Sequence, residues 1–202
     1  MNLELSFKHL KKDPALATLI EVTEIPDFRP SGRIYYDLLE SIVSQQLSVK
    51  AATTIFNRFC AIFPDNYPHP DLVTELEPAQ LRLVGLSNQK AGYLQNVAHF
   101  SLNNDLENHR WDKMSDEEII EFLSQIKGVG KWTVQMLLMF TLGRPDVFPV
   151  DDLGIQQAMI RLYQLNETGK DLKKKMQEIA EPWQPFRTVA CRYLWRWKDT
   201  VR

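Results

Sequence analysis

LSQIKGVGKWTVQMLLMFTLGRPDVFPVDDLGIQQ, residues 123–157, reads as a helix, a tight turn, a second helix, a loop and an acidic pair opening a third helix. Gly128 and Gly130 can take backbone angles closed to other residues, so the chain can reverse sharply between helices and a ligand can approach the backbone closely. The amides of Gly128 to Lys131 are expected to lie free at the head of the next helix, where the helix dipole favours an anion. Such a turn suits a single phosphate. Beyond Pro149, Asp151 and Asp152 sit where a helix N-terminus stabilises a charged carboxylate. One of the pair is expected to cap or bond locally and the other to point away, because neighbouring residues leave a helix start in different directions. A phosphate cradle followed by an ionised carboxylate suggests chemistry on nucleic acid.

Working outward from this stretch, the rest of the chain reads as helical. Asp13-Pro14 starts a helix over ALATLIEVTEI, closed by Pro26 and Pro30. From Ile34, two helices meet at a corner near Ser44 to Ser48, where Gln45, Gln46 and Leu47 are presented and Ser48 caps the second helix. Two short helical pieces follow Pro70, and a longer helix runs over Asn88 to Leu102. Ser115 with Glu118 forms a capping box into the helix before the glycine turn. After Asp152 helix is expected up to Gly169, then an amphipathic KDLKKKMQEIA, then a Trp-rich helix over PWQPFRTVACRYLWRW. With no strand or repeat pattern, about ten short helices make an all-α fold.

The 202 residues are enough for one good-sized domain, or two lobes sharing a core. The content is 44% apolar and 10% aromatic, ample for a packed interior and an argument against disorder. The net charge of −2 is unusual for a nucleic-acid binder, whose basic patch must then be local. Cys60 and Cys191 form no metal-ligand spacing, as expected of a reduced compartment. Neither a secretory run nor the roughly 18 apolar residues of a membrane span is found, so a soluble intracellular protein is expected. The four histidines show no pairing for a metal or a catalytic triad. Trp132, Trp195 and Tyr35 read either as core or as an aromatic pocket able to stack a cationic base. Lys170 to Lys175 read chiefly as a solvated helix face.

Four segments together resemble the helix-hairpin-helix DNA glycosylases, in particular the alkylbase branch of the 3-methyladenine DNA glycosylase II type. They are SIVSQQLSVKAA at 41–52, GLSNQKAGYL at 85–94, the long segment through 126–157, and WQPFRTVACRYLW at 183–195. The resemblance implies an all-helical domain over 1–202 with two lobes flanking a base-binding cleft. These are placed at about 34–125 and at 1–33 plus 126–202, with the hairpin near 123–141. It implies a monofunctional enzyme that flips 3-methyladenine or 7-methylguanine from double-stranded DNA and hydrolyses the N-glycosidic bond. The alternative is a non-catalytic module that binds DNA or senses damage.

On this resemblance Asp152 matches the catalytic aspartate, Gln46 the wedge that fills the flipped nucleotide's place, and Trp132, Trp195 and Tyr35 the base pocket. Gly128, Gly130, Lys131 and Thr133 match the phosphate-binding turn. Bifunctional relatives carry a lysine nucleophile where this chain has Trp132, so no lyase activity is expected. No cofactor is required: a sodium or potassium ion held by carbonyls near Gly128 and Gly130 is the one candidate, and no iron–sulfur cluster is expected. The protein would act as a monomer, without a membrane, in the bacterial cytoplasm at the nucleoid or in a eukaryotic nucleus.

Overall fold

The computed structural model describes residues 3–200, and among them there are helices and turns but no strand. The all-α class expected from the sequence is therefore what the chain adopts. The helices are α1 (Leu3–Leu10), α2 (Pro14–Val22), α3 (Ile34–Ser44), α4 (Val49–Cys60), α5 (Pro70–Glu75) and α6 (Pro78–Leu83), followed by α7 (Asn88–Asn104) and α8 (Asp116–Leu123). The remainder are α9 (Lys131–Phe140), α10 (Leu153–Tyr163), α11 (Gly169–Ala180) and α12 (Arg187–Thr200). No helix among the described residues is long and apolar enough to cross a membrane.

The chain divides into two compact units. One comprises residues 31–137, the other residues 1–30 and 138–202. The division falls inside α9, between Leu137 and Leu138. The glycine turn and the first part of α9 belong with the middle of the chain, tied to it by the bonds from Asn96 to the Lys127 carbonyl and from Gln45 to the Gly128 carbonyl.

In the 31–137 unit, α7 packs against α3, α5 and α6. Its Ala91, Leu94, Val97 and Ala98 are buried, as are Leu38, Leu39, Ile42 and Val43 of α3. These are the apolar positions that recur at helical spacing in the sequence. Ser48 caps α4 by accepting from the Ala51 amide, and Ser115 and Glu118 form the expected capping box on α8.

In the other unit, α12 packs against α10 and α2. Asp13 does more than start a helix. Its Oδ1 accepts from the amides of Ala15 and Leu16, while its Oδ2 accepts from Tyr163 at 2.8 Å and from the Trp183 indole at 3.0 Å. One carboxylate thus caps α2 and ties it to α10 and to the turn before α12.

Three boundaries differ from the sequence expectation, each for a local reason. Helix α1, which the sequence did not announce, is held by its packing: Leu10 is buried and the Phe7 ring meets Tyr193 edge-on. Helix α10 stops at Tyr163, because Gln164 takes a left-handed conformation. Helix α12 starts only at Arg187, since Pro182 and Pro185 lack the amide hydrogen a helix interior needs.

Candidate active site

The loop between α9 and α10 carries the acidic pair, and α12 fixes that loop. Arg187 grips Asp146 with two bonds, Nε to Oδ1 at 2.7 Å and a terminal nitrogen to Oδ2 at 2.9 Å. Next to it, Thr188 donates to the Arg144 carbonyl and accepts from the Val147 amide. A planar guanidinium matched to a carboxylate restrains both partners in orientation as well as distance. Gln156 then reaches back to the Val150 carbonyl, so the stretch before Asp152 is held from both sides.

The two aspartates have different surroundings. Asp151 is exposed and pairs with Lys173 of α11 at 2.6 Å. Asp152 is the N-cap of α10, and its Oδ1 accepts from the Ile155 amide at 2.8 Å and from the Trp195 indole nitrogen at 2.8 Å. Two donors on one oxygen hold the carboxylate in a single orientation. Gly154 makes this possible. A Cβ there would lie 3.0 Å from Asp152 Oδ1 and 3.1 Å from Trp195 Nε1, inside the hydrogen bond itself. Trp195 is tilted against Phe140, whose ring is met edge-on by Phe28, so an aromatic row leads away from the carboxylate. Cys191 on the same helix is fully buried and its thiol is pushed far above its ordinary pKa by burial, which removes it as a nucleophile.

In the 31–137 unit the glycine turn has a narrower basis than the sequence suggests. Gly128 takes φ 105°, and a Cβ on it would fall 2.3 Å from the Tyr93 ring. Gly130 needs no left-handed angle and has open space where a Cβ would stand. The Val129 amide is not free, since it donates to Ile126 within the turn. The first intrahelical bond of α9 runs from Val134 to Gly130, so the amides of Lys131, Trp132 and Thr133 precede it.

The carbonyls of Ile126, Lys127, Gly128 and Gly130 accept from Val129, Asn96 Nδ2, Gln45 Nε2 and Val134 respectively. Two of these donors, Asn96 and Gln45, come from outside the turn and tie it to neighbouring segments.

Lys131 is exposed, and Trp132 is 41% exposed at the start of α9. Thr133 is buried at 4% exposure, so what it offers at the head of α9 is its backbone amide. Tyr35 is corrected. It is 0% exposed and its hydroxyl donates to the Pro68 carbonyl at 2.7 Å, which makes it a core residue and not a pocket wall. Gln46 is exposed at the corner after α3, with φ 57°.

The sequence reading passed over Gly154, Phe140, Phe28 and Lys90. Gly154 had a signal, a glycine in the first turn of a helix where propensity disfavours it. The aromatic pair and the single lysine had none, because nothing local distinguishes them from core and surface residues.

Residues 39–185 match the family described as HhH-GPD superfamily base excision DNA repair protein. The chain is 38% identical over 179 residues to DNA-3-methyladenine glycosylase 1 of Schizosaccharomyces pombe, covering 85% of this chain and 78% of that one. It is 36% identical over 169 residues to YfjP of Bacillus subtilis, covering 81% of this chain but only 58% of the relative. Among solved structures it is similar to the Schizosaccharomyces pombe 3-methyladenine DNA glycosylase in complex with abasic DNA. There the TM-score is 0.82 and the identity 35%, with 94% of each chain covered. The chain belongs to the HhH-GPD superfamily of base excision DNA repair proteins, and within it to the family of the 3-methyladenine DNA glycosylases.

Proposed function

We propose that this protein is a monofunctional DNA glycosylase that removes alkylated purines, 3-methyladenine and 7-methylguanine first among them, by hydrolysis. The observation that carries the reading is the Asp152 carboxylate, held by the Ile155 amide and the Trp195 indole, with Gly154 leaving the space for both. A carboxylate fixed in advance can stabilise positive charge without reorganising at the moment of reaction.

The reaction starts with extrusion of the damaged base, at an unstacking cost of a few kcal/mol. Gln46 fills the vacated place in the duplex, and the amides at the head of α9 together with Lys131 hold a backbone phosphate. An alkylated purine carries positive charge, so an aromatic face attracts it and it leaves readily. Trp132 and Trp195 supply such faces. As the glycosidic bond breaks, the sugar acquires oxocarbenium character, which Asp152 stabilises while it orients the incoming water. The products are the free base and an abasic site. Trp132 stands where a Schiff-base lysine would be required for strand cleavage, so water is the nucleophile. No step needs a cofactor, and the protein acts on double-stranded DNA as a monomer.

The test is release of free base from randomly methylated DNA. Asp152→Asn is expected to lower excision by about 10²–10³-fold while duplex binding persists. Undiminished excision by this variant would remove Asp152 from the mechanism. A separate check uses borohydride with abasic DNA. No covalent adduct is expected, and a trapped one would make the enzyme bifunctional.

A further inference from the structure

We infer that Lys90 is a positioning residue for base extrusion, acting through the backbone of the corner that presents Gln46. This rests on the reading of Gln46 as the wedge. Lys90 lies in the first turn of α7, and its ammonium donates to the Val43 carbonyl at 2.6 Å and to the Gln45 carbonyl at 2.7 Å. Both oxygens belong to the end of α3, where unpaired carbonyls and the negative end of the helix dipole favour a cation. The second contact matters most. The Gln45 oxygen belongs to the peptide that leads into Gln46, and Gln46 has φ 57°. A non-glycine residue in the left-handed region is held there by its surroundings. Gripping the preceding peptide plane fixes the direction in which the Gln46 side chain leaves the corner. Burial lowers the Lys90 pKa, as expected of an ammonium turned inward toward carbonyls instead of into solvent.

The same face of α7 also holds the glycine turn. Tyr93 packs against Gly128 so closely that no Cβ fits there, and Asn96 Nδ2 donates to the Lys127 carbonyl at 3.1 Å. Lys90, Tyr93 and Asn96 follow one another at three-residue intervals, which places them along one side of a helix. Gln45 Nε2 closes the circuit with a bond to the Gly128 carbonyl at 3.4 Å. One rigid helix therefore sets the spacing between the corner that opens the duplex and the turn that grips its backbone. Lys90 is the link on the opening side.

The experiment measures single-turnover excision of 7-methylguanine from two duplexes, one with cytosine opposite the lesion and one with an abasic site opposite. Extrusion costs less in the second, because the base has no pairing partner. Lys90→Met is expected to slow excision at least about tenfold on the paired duplex and less than about twofold on the unpaired one, a tenfold change being one 1.4 kcal/mol interaction. Lys90→Arg, which keeps a cation within reach, should recover part of the rate. In the Gln46→Gly background, Lys90→Met should cause no further loss, since a residue that acts through another is not additive with it.

Equal losses on both duplexes, or an additive double variant, would overturn the inference. So would a normal Lys90→Met rate while Gln46→Gly is defective on the paired duplex, an outcome that leaves the wedge reading standing. A Gln46→Gly variant without a paired-duplex defect would instead overturn the wedge reading, and this inference with it. If Lys90→Met does not fold, Lys90→Gln carries the same comparisons, because its shorter amide cannot span both carbonyls.

Discussion

The carboxylate of Asp152 serves the proposed reaction in one orientation, and three residues decide that orientation. Ile155 supplies a backbone amide, Trp195 an indole N–H, and Gly154 the empty volume between them. Trp195 thus has a function that stacking alone does not explain. Trp195→Phe keeps an aromatic face and removes the donor. Since a hydrogen bond to a charged group contributes about 1.5–3 kcal/mol, kcat should fall by about tenfold or more, while KM for alkylated DNA changes little. Steady-state kinetics measure both, and an unchanged kcat would show that the indole N–H does not matter. At this scale the sequence was informative about charge and poor about aromatics. An acidic pair behind a proline announces a helix start, whereas Trp195 and Tyr35 look alike in a string of residues. The structure separates them: one donates to a carboxylate, the other is buried with its hydroxyl on Pro68.

At the level of elements, the glycine turn divides its labour between its two glycines. Gly128 is demanded by its angle and by the Tyr93 ring, so it belongs to folding. A Cβ on Gly130 would meet nothing within the protein, so under the proposed function it is the glycine left open for the DNA backbone. Gly130→Ala is accordingly expected to leave stability within about 0.5–1 kcal/mol of the parent, by urea denaturation, yet to weaken DNA binding by fluorescence anisotropy. Unaltered affinity would count against the turn as a phosphate anchor. The sequence signalled both glycines equally, because the pattern shows where glycine stands and not which property is used. The same holds for the loop from Thr141 to Val150. Its attachment to α12 through Asp146, Arg187 and Thr188 spans some forty residues, and no local pattern announces it.

For the whole molecule, the net charge of −2 gives no general attraction to DNA, so affinity must come from local cations and oriented amides and should fall as salt rises. Its tyrosines make a separate prediction. Burial, with the neighbouring Cys60 and Glu107 respectively, pushes Tyr36 and Tyr67 up to about 12, and burial pushes Tyr35 and Tyr163 higher still. Between pH 10 and 12 the unfolded chain therefore loses protons that the folded chain keeps. The tyrosine contribution to stability is complete below about pH 10 and is lost as pH rises beyond it. Thermal unfolding followed by circular dichroism should show this fall, and a flat profile to pH 12 would contradict it.

What the sequence determined by itself is what short range can encode: helical periodicity, the caps at Asp13, Ser48 and Ser115, the reversal at Gly128, and the acidic pair opening α10. Each depends on residues within a turn or two of one another. Tertiary structure alone decided which aromatic meets Asp152, which glycine is hemmed in by a neighbouring ring, where the chain divides within α9, and that Lys90 holds the corner before Gln46. Those contacts join residues tens of positions apart, and their energies depend on burial and direction, which exist only once the helices have packed.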